Sequence, residues 1–187
     1  MKSDVVCIAN DGTGIAEALK QTEAVAVYKS LSHKDAIHLL LLAEEMTGMV
    51  KALTGELTAQ YWIETDADIF QLHLRTNTEM NSDKREKLLA VTTSGKNSTK
   101  GFMAKVKSIF EAAIGAMGRG YGDAVELGLV ESDGNMGFSG WSLTQYKQNA
   151  KDEEWDELER SIVAKLADEV KVSISGSNVE MIIEKRI

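Results

Sequence analysis

The chain has 187 residues, 43% of them hydrophobic and 27% charged, and its 21 basic and 29 acidic side chains give a net charge of -8. This is the composition of one globular domain, able to bury roughly 70% of the surface its unfolded form exposes, and it excludes a disordered tail. The acidic balance argues against nucleic acid or an anionic membrane as the main partner. A single cysteine excludes an internal disulfide framework and points to the cytosol. No stretch is long enough to span a bilayer, and the short run after Met1-Lys2-Ser3-Asp4 is too short for a signal peptide.

Residues 4–9 predict a strand that ends at the turn-forming pair Asn10-Asp11. Apolar residues at Ile15, Ala18, Leu19, Ala26, Val27 and Leu31 predict a helix over 14–31. Ser32 is a good N-cap, with Asp35 at the third helical position, for a second helix from His33 to Leu53, closed by Gly55. Its middle, Leu39 to Ala43, is apolar on every side, as in a buried helix. Two strands, 59–65 and 69–76, flank a turn at Asp66-Ala67-Asp68. In the second strand Phe70, Leu72 and Leu74 alternate with Gln71, His73 and Arg75, which predicts one buried and one wet face.

Asp83 and Glu86 resemble a capping box for a short helix through Ala90, and residues 92–100 form a polar loop. Gly101 opens a helix with Met103, Val106, Ile109, Phe110 and Ala113 on one stripe. Residues 115–140 are glycine-rich and irregular, a loop or lid expected to be the most mobile part of the chain. Helices are expected at 141–147 and 153–167, and a hairpin closes the chain at 170–174 and 179–187. There is no proline, so glycine and polar residues must make the turns. Strands that come in adjacent pairs favour an α+β two-layer sandwich, a mixed and mostly antiparallel sheet with helices on one face. The chain reads as a single domain, 1–187, with a loop and helical insertion at 119–167.

Few constellations carry chemistry. Asn10-Asp11-Gly12-Thr13-Gly14, between a strand and a helix, fits a phosphate at a helix N-terminus or a plain tight turn. Gly95-Lys96 lacks the earlier glycine of a phosphate loop, where Ala90 stands, yet glycine, hydroxyls, Lys96 and Lys100 before a helix make either an anion cradle or a solvated loop. Glu44 and Glu45 lie in the most apolar helix; one of them facing a cavity would be a candidate general base, and a salt bridge or core rim is the alternative. His33, His38 and His73 form no ligand set. Asp66 and Asp68 are better explained by their turn than by a cation. Cys7 alternates with Val5 in an expected core strand and reads as inert packing. Asp152-Glu153-Glu154 reads as a solvated helix start.

The order and spacing of these pieces resembles the GHKL ATPase fold, the ATP-binding module of histidine kinases and anti-sigma-factor kinases. Leu40 to Met49 resembles the family's Glu-bearing helix, Gly95 to Ile109 its lid and following helix, and Val170 to Arg186 its closing strands. The resemblance implies that ATP or ADP lies between the Glu44 helix and the 95–101 loop. It implies Glu44 as the residue that positions the attacking water. Gly48, Asn77, Gly95, Lys96, Asn97, Lys100 and Gly101 would then surround the nucleotide, with the two lysines on its phosphates. Gly48, or Met49 in the other register, stands where the family carries its Mg²⁺-binding Asn, and Thr76-Asn77-Thr78-Glu79 contains no Asp-x-Gly-x-Gly adenine box. The Asn10 to Gly14 segment looks like that box but precedes the Glu helix. The expectation is therefore a nucleotide-binding regulator with Mg²⁺ weak or absent and little hydrolysis or kinase activity. The alternative is a non-catalytic protein-interaction module on the same fold, with Trp141, Tyr146 and Trp155 either anchoring a partner or packing the insertion. A metal-dependent hydrolase lacks a ligand cluster.

Overall fold

The structure, a computed structural model, describes residues 1–52, 58–77, 141–149, 161–175 and 178–187. The elements expected at 83–90, 92–100 and 101–113, the 115–140 segment and most of the 119–167 insertion lie outside the described residues. Chain order is β1 (Val6–Ala9), α1 (Ile15–Tyr28), α2 (His33–Ala52), β2 (Thr58–Asp66), β3 (Ile69–Asn77), β4 (Trp141–Ser142), α3 (Leu143–Asn149), α4 (Ile162–Leu166), β5 (Glu169–Ser175) and β6 (Asn178–Arg186). The strands form one sheet in the order β1-β2-β3-β6-β5-β4. Every pairing is antiparallel, so the expected mixed sheet is corrected to a wholly antiparallel one among the described residues.

Alternation along the strands sends Ile8, Tyr61, Ile63, Leu72, Leu74, Met181 and Ile183 to one face, where they share a core with Ala18 and Val25 of α1 and Leu39, Leu42, Met46 and Val50 of α2. Leu143, Val163 and Ala164 join the same core, so the described helices cover a single face. The Tyr61 phenol, buried there, shares a 2.8 Å hydrogen bond with Thr22 of α1, and its burial pushes the phenol well above its ordinary pKa.

The α1–α2 corner follows from backbone chemistry. Ser30 adopts a left-handed conformation (φ 55), its N–H donates to the Val27 carbonyl, and the Leu31 N–H donates to Ala26. That pair of bonds is a Schellman closure, with serine where glycine is usual, and it ends α1 before the expected Leu31. Ser32 then caps α2 as expected: its Oγ accepts from the Asp35 N–H at 3.2 Å and donates to the Asp35 carboxylate at 2.6 Å.

Two expectations are corrected. Cys7 is exposed, not packed, and Val5 is exposed with it, while Val6 and Ile8 enter the core. The cause is a bulge. Lys2 sits opposite Glu64 and Val6 opposite Tyr61, so Ser3, Asp4 and Val5 span what Ile63 and Trp62 span on β2, and the side-chain parity inverts. Gln21 of α1 secures the bulge by donating to the Asp4 carbonyl at 2.6 Å and to Ser3 Oγ at 2.8 Å. The helix expected over 141–147 starts two residues late, because Trp141 and Ser142 pair with Val172 and Lys171 at the sheet edge. Ser142 Oγ then accepts from the Gln145 N–H at 3.2 Å and caps α3.

Candidate functional site

The helix bearing the expected general base presents it to solvent. Buried Leu39, Leu42, Ala43, Met46, Met49 and Val50 line the core side of α2 at three- and four-residue steps, which leaves Glu44, Glu45 and Gly48 exposed on the other side. Both carboxylates are exposed, so neither is held in the protein core, where burial would tune a general base. Residues four apart share a helix face, so Glu44 and Gly48 do lie together. A Cβ added at Gly48 would meet nothing within 4 Å, so the fold does not require glycine there. Thr47, on the inner side, spends its hydroxyl on the Ala43 carbonyl at 2.7 Å.

The fit to Mg²⁺ is poor at these residues. A hard cation takes oxygen ligands, and Gly48 supplies no side chain. Among the described residues no group of three or more His, Cys, Asp and Glu is placed to hold a metal. Asn77 ends β3 opposite Asn178. Gly95, Lys96, Asn97, Lys100 and Gly101 lie outside the described residues.

The Asn10 to Gly14 segment resolves into a tight turn. The Thr13 N–H donates to Asp11 Oδ1 at 2.8 Å, the Gly12 N–H to the Ala9 carbonyl and the Ile15 N–H to the Gly12 carbonyl, so these amides serve the turn and not an anion. The Thr13 hydrogen bonds hold the Asp11 carboxyl below its ordinary pKa. Gly14 is irreplaceable here: its φ is 85, and a Cβ would sit 2.0 Å from the Cys7 carbonyl oxygen.

A second constellation, not expected from the sequence, occupies the sheet face away from the helices. Trp62 and His73, cross-strand neighbours on β2 and β3, are only 3% and 6% exposed. His73 Nδ1 is 2.8 Å from Glu180 Oε1 on β6, and Arg75 Nη2 donates to Glu180 Oε2 at 3.3 Å. Burial acts to raise the Glu180 pKa, but the His73 hydrogen bond and the Arg75 charge outweigh it and hold the carboxyl below its ordinary value. Lys2 and Arg75 place their cationic groups 4.6 and 4.9 Å from the Trp62 ring centroid. Glu64 accepts from Lys2 Nζ and Trp62 Nε1, both at 2.9 Å, and these bonds lower its pKa. His73 Nε2 and Arg75 Nε are buried without hydrogen-bond partners. A cleft of about 420 Å³ opens beside this cluster, lined by Lys2, Glu64, Thr65, Asp66 and Gln71 among others. The sequence held one usable signal: once the 58–66 and 69–77 strands pair across a two-residue turn, Trp62 and His73 fall opposite each other. Pairing with Glu180 depends on a register across more than one hundred residues and was not legible.

Comparison with protein-family models, curated proteins and solved structures finds no match to this chain. Among the described residues no helix is long and apolar enough to cross a membrane.

Proposed function

We propose that this chain is a cytosolic regulatory domain of the histidine-kinase-like ATPase type that binds ATP or ADP and turns it over slowly or not at all. The observation that carries the reading is the open side of α2, where Glu44 and Gly48 stand one turn apart while the opposite side holds the core. What supports it further is the antiparallel sheet covered by helices on a single face. Nucleotide would lie between α2 and residues 95–101. Lys96 and Lys100 would neutralise phosphate charge, backbone N–H groups of Gly95, Asn97 and Gly101 would cradle it, and Asn77 would add a polar contact. Glu44 would be the residue nearest an attacking water. Without an oxygen ligand at position 48 to hold a metal, these groups bind an anion but do little to align it for in-line attack.

A thermal-shift series with ATP and ADP, with and without Mg²⁺, tests this. Ligand at 100 times its Kd stabilises by roughly 2.7 kcal/mol, an easily measured shift. Replacing Lys96 and Lys100 by Ala should abolish the shift, Glu44→Gln should leave it intact, and Gly48→Asn, which restores an oxygen ligand, should make it respond to Mg²⁺. No shift with any nucleotide would refute the reading.

The second reading, a non-catalytic protein-interaction module, is favoured by one observation: Val27 and Tyr28, adjacent at the end of α1, are each 74% exposed.

A further inference from the structure

We draw no further inference here: the strongest candidate, the Trp62, His73, Arg75 and Glu180 cluster on the sheet face away from the helices, carries none, because its unpartnered His73 Nε2 and Arg75 Nε are closed off from solvent and neither residue lines the neighbouring cleft of about 420 Å³, so nothing in the structure shows what ligand would reach them.

Discussion

The indole of Trp62 lies against the imidazole of His73, with 4.7 Å between ring centroids and 10° between ring planes. The stack joins the two strands of the first hairpin on the face opposite the core, and the His73 hydrogen bond carries the connection on to β6 through Glu180. Removing the ring loses three things together: the stack, the cover over Trp62 and the donor to Glu180. His73→Ala should therefore cost about 2–3 kcal/mol in urea unfolding. His73→Phe keeps the stack and loses only the hydrogen bond, so it should cost about half as much. Equal losses in the two variants would mean that the hydrogen bond, not the stack, holds these strands.

Acid should weaken the fold through the same residues. Glu180 and Glu64 have pKa values lowered below the ordinary 4.5, and Asp168 is lowered below 3.8. At Asp168 burial opposes the shift, but the Arg186 backbone N–H at 2.6 Å and Lys185 at 3.2 Å outweigh it. A carboxyl with a lower pKa when folded binds fewer protons folded than unfolded. Its contribution is complete above the unfolded value and disappears as pH falls through the folded one. The unfolding free energy should thus decline as pH drops below about 4.5, with Glu180→Gln reducing stability at pH 7 more than at pH 3. An unchanged acid slope in that variant would place the titration elsewhere.

Two positions with positive φ should respond in opposite directions. Gly14→Ala puts a methyl group against the Cys7 carbonyl at a backbone angle that is relaxed for glycine and strained for alanine, and should cost about 3 kcal/mol or prevent folding. Ser30→Gly relieves a left-handed residue in the Schellman closure, and should stabilise by up to about 1 kcal/mol, or roughly 2–4 °C in Tm. Thermal melts of the two variants decide both signs.

The elements that were legible in the sequence are those fixed locally. The strands around Asp66 to Asp68, the Ser32 cap and the alternation of Phe70, Leu72 and Leu74 follow from turn chemistry and side-chain period, and each is in place. What was not legible depends on distant chain. The parity of Val5 and Cys7 is inverted by a bulge against β2 that Gln21 of α1 secures. Trp141 and Ser142 become strand only because β5 offers an edge. His73 reads as wet from its alternation, but Trp62 and Glu180 cover it from two other strands. At the candidate site, helix periodicity predicts that Glu44 and Gly48 share a face, but not that the face is open, because Leu39 to Ala43 looks equally apolar all round. The neighbours Leu40 and Leu41 are in fact only half-buried.

The central claim is nucleotide binding without metal-dependent turnover, and calorimetric titration of the wild-type chain with ATP, once in Mg²⁺ and once in EDTA, tests it most directly. The account predicts saturable binding in both, with Kd values within about threefold of each other, and no continuing heat of hydrolysis after saturation. Binding that vanishes in EDTA, sustained Mg²⁺-dependent heat of turnover, or no binding in either buffer would contradict it.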